Sequence, residues 1–194
     1  MQGWQELSGR DPLAADLTLT ADCGPIALNE TLALYRWNTE DGGIFCVEEN
    51  GYALYFDEEA ICDSQGNTIP TAGASNLDAA GLLDIAYTLC MNAEASCTKT
   101  AAGYTYTISL DEAGMEQVAY AIAPEAEKLN ISFDSGELIL VMAGERIERM
   151  EVRISGSVQV VLSSADVSIG AKLEFGEEPV ERTIPEAVEA ALGA

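Results

Sequence analysis

The stretch Gly136–Gly176 organises the rest of the chain, and from Met150 onward apolar and polar side chains alternate along it. From Met150 to Val160 the even positions other than Gly156 are apolar, while the odd positions carry Glu, Arg, Ser and Gln. After residues 163–166 the phase switches, and the odd positions from Val167 to Phe175 are apolar. Half-buried strands show this period of two. The pattern predicts two long antiparallel strands joined by a turn at residues 163–166, with a bend or bulge at Gly156.

The first third of the chain predicts a meander of shorter strands. Apolar and polar residues alternate from Leu17 to Cys23, and a second run extends from Ile26 to Trp37. Two further apolar runs, Ile44–Val47 and Tyr52–Phe56, flank an Asn-Gly pair, which is the strongest short-range signal for a hairpin. Tyr104 to Leu110 alternates in the same way and predicts another strand.

Helical spacing occurs in four places. Between Leu77 and Met91 apolar residues recur every three or four positions and leave only a narrow polar stripe, so this helix is expected to be mostly buried. Ser109 and Glu112 fit a capping box that opens a second helix, which Pro124 ends. Shorter helical segments are predicted near Trp4 and after Pro185. The mixture predicts an α+β fold, a curved antiparallel half-barrel sheet with meander connections covered by two or three helices, in one domain spanning residues 1–194.

Composition narrows the function classes. The chain has 33 acidic and 9 basic residues and a net charge of −24, which would repel nucleic acid and anionic membrane surfaces. It contains no histidine, so a Ser-His-Asp or Cys-His arrangement is excluded. No glycine-rich phosphate loop follows a strand. We therefore expect a protein that is not an enzyme, with no catalytic residue, cofactor, metal or nucleic-acid partner.

Three clusters leave alternatives open. The acidic residues 57–59 with Asp63 could bind Ca²⁺ or form a solvated hairpin end, and the second interpretation is favoured because the spacing matches no EF-hand loop. Arg149 and Arg153, with Glu151 between them, could form a small anion site, but pairing with neighbouring acids is the ordinary explanation. Of the five cysteines, Cys90 and Cys97 are the pair to test for a disulfide if the domain is exported.

Three segments carry a resemblance to a known family. They are YTYTISLDEAGMEQVAYAI (Tyr104–Ile122), RIERMEVRISGSVQV (Arg146–Val160) and LEFGEEPVERTIPEA (Leu173–Ala187). With the order of elements around them, they make the chain resemble the LolA/LppX-type half-barrel, in particular uncharacterised lipoproteins of Gram-positive bacteria. The resemblance implies an extracytoplasmic, bacterial protein attached to the cell surface through a lipid-modified cysteine upstream of Met1. That anchor would be its one contact with the membrane.

The resemblance also implies an apolar groove between the sheet and its helices, which in this fold carries acyl chains or lipoproteins. The expected function is therefore to bind or shield a lipid or other apolar small molecule. The candidate groove residues are Leu82, Ile85, Ala86, Leu89, Trp37, Val152, Ile154 and Val158. The alternative is a structural or protein-interaction domain of the cell envelope with a fully packed core, which a filled interior together with an exposed apolar patch would indicate. A hydrolase acting through two carboxylates in a deep cleft is a more distant third interpretation.

Overall fold

The structure is a computed structural model that describes most of the chain. The described residues are 2–23, 26–39, 42–57, 60–69, 85–90, 94–101, 103–122, 127–128, 130–160, 163–176 and 180–193. Within these ranges eleven strands form one antiparallel sheet, in the order β6-β5-β4-β3-β2-β1-β11-β10-β9-β8-β7. The strands are β1 Leu13–Cys23, β2 Ile26–Thr39, β3 Gly42–Glu49, β4 Tyr52–Phe56, β5 Ile61–Asp63, β6 Thr68–Ile69, β7 Ala95–Lys99, β8 Tyr104–Ser109, β9 Ile131–Ala143, β10 Arg146–Val160 and β11 Ser163–Phe175. The helices are α1 Gln2–Ser8, α2 85–90, α3 Glu112–Ile122 and α4 Glu186–Leu192.

The sheet consists of two meanders joined at its centre. Strands β1 to β6 follow one another across one half, and strands β7 to β11 follow one another across the other half. The two halves meet where β1 pairs with β11, from Ala15 opposite Phe175 to Cys23 opposite Val167. The predicted α+β fold, an open curved antiparallel sheet with helices, is confirmed.

The long hairpin β10–β11 is confirmed, but its predicted turn is wrong. Val160 pairs with Ser163, so residues 163–166 belong to β11 and do not form a turn. The register places even positions of β10 opposite odd positions of β11, for example Met150 opposite Leu173. Residues directly opposite each other lie on the same face of the sheet. The change from apolar even positions in β10 to apolar odd positions in β11 therefore follows from this register.

The irregularity predicted at Gly156 lies on the neighbouring strand. Ser155 pairs with Ser135 and Gly156 pairs with Phe133, so Asp134 is an extra residue in β9. The bulge brings β9 close to β10, and a Cβ on Gly156 would overlap the carbonyl oxygen of Ser132. Position 156 is the one even position between Met150 and Val160 that carries no apolar side chain. The close approach of β9 explains why this position requires a glycine.

The sheet buries apolar side chains on both faces. We call the face that carries Leu17 the first face and the opposite one, which carries Trp37, the second face. The larger core lies on the first face and includes Leu17, Leu138 and Ile154. The second core covers β2 to β5 and consists of Trp37, Ile44, Cys46, Tyr55, Cys62 and Val188.

Different helices cover the two faces. Leu7 of α1, Ala86 of α2 and Val118 of α3 belong to the first core, whereas Val188 of α4 belongs to the second. The aromatic rings of Trp4 and Tyr87 meet edge to face with centroids 5.3 Å apart, which joins α1 to α2. Of the predicted helix Leu77–Met91, residues 85–90 are helical and the remainder lies outside the described residues.

The start of α3 differs from its prediction. The carboxylate of Asp111 accepts a hydrogen bond from the Gly114 backbone N–H at 2.8 Å, so Asp111 is the N-cap. Ser109, predicted to cap the helix, is the last residue of β8. The predicted helix itself is confirmed.

Candidate functional site

Most of the predicted groove residues lie together in the first core. Ala86, Val152, Ile154 and Val158 are no more than 8% exposed. Ile85 and Leu89 pack against them and are partly exposed, while Leu82 lies outside the described residues. The described side chains of this set pack against one another and against neighbouring core residues, so they occupy the space in which the groove was predicted. Their role in ligand contact stays a prediction.

Trp37 is not brought together with the other predicted groove residues. It lies on the second face in the smaller core, where its indole N–H donates a hydrogen bond to the carbonyl oxygen of Arg182 at 3.0 Å. Its position follows from the register, since Trp37 pairs with Ile44 and the first-face positions of β2 are the even ones.

A strip of incompletely covered apolar side chains continues the first face across β3 to β6. We call these six residues the apolar strip: Phe45, Val47, Leu54, Phe56, Ile61 and Ile69. Five are partly exposed, and Leu54 is 43% exposed. They share one face because Phe45 pairs with Phe56, Phe56 with Ile61, and Ile61 with Ile69. The rings of Phe45 and Phe56 stack with centroids 5.5 Å apart.

A small apolar cleft lies at the inner end of this strip. Its volume is about 20 Å³, which is enough for one water-sized group. The residues lining it are Leu13, Ala15, Leu34, Tyr35, Arg36, Phe45, Cys46, Leu173 and Phe175. Phe45 therefore belongs to both the cleft and the apolar strip, and the two features form one continuous surface.

Arg36 is the charged group of the cleft. Its position on β2 pairs with Leu13 on one side and Phe45 on the other, and its guanidinium carbon lies 5.5 Å from the Phe45 ring centroid. The Nε atoms of Arg36 and Arg149 are both buried without a hydrogen-bond partner, but Arg149 Nε lies 3.8 Å from a carboxylate oxygen of Glu151. A buried guanidinium N–H without an acceptor is uncommon and costs free energy.

The second face carries a wide polar basin over β1, β9, β10 and β11, with a volume of about 830 Å³. Hydroxyl groups of Thr18, Thr20 and several serines line it, together with charged side chains. Arg153 there pairs with Glu151 at 2.7 Å and with Glu137 at 3.4 Å. The predicted acid pairing of the arginine cluster is confirmed.

Arg182 connects the C-terminal segment to the second core. Its guanidinium carbon lies 4.0 Å from the centroid of the Tyr35 ring, and its Nη2 lies 2.6 Å from a carboxylate oxygen of Glu48. Beneath it, burial raises the pKa of the Cys46 thiol to about 11, even though Arg182 opposes this shift. Burial also raises the pKa of Tyr55. These shifts are those of a packed interior, in which the neutral thiol and phenol are the stable forms.

Of the acidic cluster at residues 57–59 and Asp63, residues 58 and 59 lie outside the described part of the chain. Asp63 accepts hydrogen bonds from Gln65 and from Asn67, and the Asn67 side chain is the main cause of its lowered pKa. This is a hydrogen-bonded turn, as the solvated-hairpin interpretation expects. Within the described ranges, no group of three or more His, Cys, Asp or Glu residues could hold a metal ion. Cys90 and Cys97 both carry free thiols.

No helix of the described part of the chain is both long enough and apolar enough to span a bilayer.

Arg36 and the cleft were not predicted, although the sequence contains a signal for them. Even positions of β2 are apolar at Ile26, Leu28, Leu32 and Leu34, and both Glu30 and Arg36 interrupt this phase with a charge. A charged residue on the apolar side of a strand is the informative exception to the alternating pattern. β7 was missed as well, because all five of its residues are exposed and no side of it is uniformly apolar.

Comparisons with known proteins give several distant structural likenesses, two of which are described below. Neither a protein-family model nor a curated protein sequence matches the chain. A DUF1329 family protein from Desulfovibrio piger ATCC 29098 superposes with a TM-score of 0.33 at 9% identity, covering 97% of this chain and 94% of its own. The YwiB protein from Bacillus subtilis gives a TM-score of 0.19 at 10% identity, covering 86% of this chain and 93% of its own. At these TM-scores neither protein defines the fold or the function of this chain.

Proposed function

We propose that the protein is a non-enzymatic, extracytoplasmic domain that binds an apolar ligand, such as a lipid or acyl chain, on the first face of its sheet. The observation that carries the proposal is the apolar strip. Six adjacent apolar side chains remain incompletely covered there, beside the buried side chains of the first core. Contiguous exposed apolar surface of this kind marks ligand or partner binding in soluble proteins.

The strip has dimensions suited to a single chain. From Phe45 on β3 to Ile69 on β6 the strip crosses three strand spacings of about 4.8 Å, or roughly 14 Å. One leaflet of a bilayer core is about 15 Å thick, so an extended acyl chain is about as long as the strip. Each methylene removed from water contributes about 0.8 kcal/mol, and a chain lying on an open face would gain a fraction of this amount.

The proposed location differs from the groove predicted from the sequence. Val152, Ile154 and Val158 lie under the helices in the filled part of the first face, whereas the strip lies on β3 to β6. The resemblance to LolA/LppX-type lipoproteins supports an apolar ligand and an extracytoplasmic location. The absence of histidine supports a binding function over catalysis.

A second candidate is favoured by the same buried core. A domain with a filled interior and an exposed apolar strip could bind the apolar surface of another envelope protein instead of a small ligand. The two candidates differ in whether the isolated protein takes up an apolar molecule.

Native mass spectrometry of the purified protein, before and after organic extraction, separates the candidates. For a ligand-binding domain we expect either a stoichiometric apolar passenger or uptake of one molecule when the extracted protein is challenged with lipid extract. A mass that stays unliganded throughout would contradict the proposal and favour the protein-interaction domain.

A further inference from the structure

We propose that the ligand of the apolar strip is an anionic single-chain amphiphile whose carboxylate head group binds Arg36 at the cleft. This inference rests on the proposed function, because it requires the strip to receive the chain. It adds the chemical class of the head group and the residue that recognises it.

Arg36 occupies a first-face position between apolar neighbours. In the first-face row that runs from Leu13 through Phe45 and Phe56 to Ile61, Arg36 is the residue on β2. Its neighbours in the row are therefore apolar on both sides. A guanidinium there costs desolvation and would be replaced by an apolar side chain if packing alone decided the residue.

Arg36 also has hydrogen-bonding capacity that no described residue uses. Its Nε–H is buried without an acceptor, and no carboxylate of the described residues forms an ion pair with it. Most arginines of this acidic chain do have such partners, as Arg153 and Arg182 show. One oxygen of a carboxylate in the cleft would accept a hydrogen bond from the Nε–H of the planar guanidinium fork, and a charge-assisted bond of this kind is stronger than one to a neutral acceptor.

The cleft supplies room for the head group and direction for the chain. About 20 Å³ beside Arg36 accepts a group the size of a water molecule, such as a carboxylate oxygen, but not an acyl chain. The chain must therefore leave the cleft along Phe45 and onto the strip. Of the described residues lining the cleft, Arg36 is the one that carries a charge, so it offsets the repulsion that a net charge of −24 exerts on an anion.

The test is equilibrium dialysis of radiolabelled dodecanoate and radiolabelled 1-dodecanol, at low micromolar concentration, against the full chain. The two ligands share a chain length and differ in the charge of the head group. The variants are Arg36→Gln, which removes the guanidinium, and Arg36→Lys, which keeps the charge but loses the fork. Arg153→Gln on the second face is the matched control. Circular dichroism and the Tm confirm that each variant is folded.

We expect wild type and Arg153→Gln to bind dodecanoate about tenfold more tightly than dodecanol, a ratio that corresponds to about 1.4 kcal/mol. Arg36→Gln should lose this preference and keep its affinity for dodecanol within about twofold, and Arg36→Lys should lie between. Equal affinities of the wild type for both ligands, or equal losses in Arg36→Gln and Arg153→Gln, would overturn the head-group assignment while leaving the strip as a binding site. If the wild type binds neither ligand, the proposed function fails as well.

Discussion

Trp37 donates its indole N–H to the carbonyl oxygen of Arg182 at 3.0 Å, although 145 positions separate the two residues. This hydrogen bond fixes the C-terminal segment to the second face, after the chain has left β11 on the far side of the sheet centre. The same arginine covers Tyr35 and pairs with Glu48. The C-terminal segment is therefore an integral part of the second core.

Removing the Arg182 side chain should destabilise the fold moderately. Arg182→Ala loses the cation–π contact and a partly buried ion pair, since the two side chains are 26% and 32% exposed. We expect the free energy of unfolding, measured by urea denaturation, to fall by about 1–2 kcal/mol. Arg153→Ala is the control, because the Arg153 side chain is 60% exposed and its ion pairs lie at the surface. It should lower the free energy of unfolding by less than about 1 kcal/mol. Equal losses in the two variants would contradict the special role of Arg182.

Val188 should be the main anchor of helix α4, although Ala191 and Leu192 also pack against the second core. Val188 is fully buried in the second core, whereas Ala190 on the same helix is exposed. Val188→Asp places an unpaired charge in an apolar site and should lower the free energy of unfolding by more than about 3 kcal/mol. Ala190→Asp adds the same charge to the same helix and should change it by less than about 0.5 kcal/mol. Similar Tm values for both variants would show that α4 does not pack as described.

The cysteines should differ sharply in reactivity. Cys97 is exposed, while Cys46 and Cys62 are 1% and 0% exposed. Burial also raises the pKa of Cys46 to about 11, so at pH 8 almost none of this thiol is in the reactive thiolate form. After a short pulse of iodoacetamide at pH 8, peptide mass spectrometry should find Cys97 alkylated and Cys46 unmodified. Comparable modification of both, in protein shown to be folded, would be incompatible with the second core.

Gly156 should tolerate no side chain. A Cβ would overlap the carbonyl oxygen of Ser132 and approach the Cα of Phe133, both of which are backbone atoms held by the bulge in β9. We expect Gly156→Ala to lower the free energy of unfolding by about 1–3 kcal/mol, because the strands must move apart. Ser157→Ala, at the next position of β10, is the control and should change it by less than about 0.5 kcal/mol. An unchanged Tm for Gly156→Ala would exclude the close approach.

The alternation of apolar and polar residues predicted the sheet well, because strands that bury one face need period two. The Asn50-Gly51 hairpin was predicted from the turn chemistry, and both residues have positive φ. The β10–β11 turn was predicted at residues 163–166 because three of them are polar, although these residues pair with β10. Polar side chains on the second face of a strand cannot be distinguished from a turn by polarity alone.

The site was less accessible to sequence reasoning than the fold. The predicted groove used the most apolar segments, and these are the residues that pack most completely, such as Ile154 and Ala86. The strip on Phe45 and Phe56 emerges only after the register shows that β3 to β5 carry apolar residues on both faces. Which of these two faces a helix covers depends on the tertiary path of α4, and the alternation along a strand does not encode that path.

The most direct test of the central claim, that the apolar strip binds the ligand, is to compare dodecanoate binding in Leu54→Glu and Thr31→Glu by equilibrium dialysis. Leu54 belongs to the strip and is 43% exposed, and Thr31 is exposed on the second face, so each variant adds one charge to a surface position of the same sheet. We expect Leu54→Glu to weaken binding at least about fivefold, because a carboxylate in the strip must be desolvated by the bound chain. Thr31→Glu should bind within about twofold of the wild type. Equal affinities in the two variants would show that the ligand, if bound, lies elsewhere.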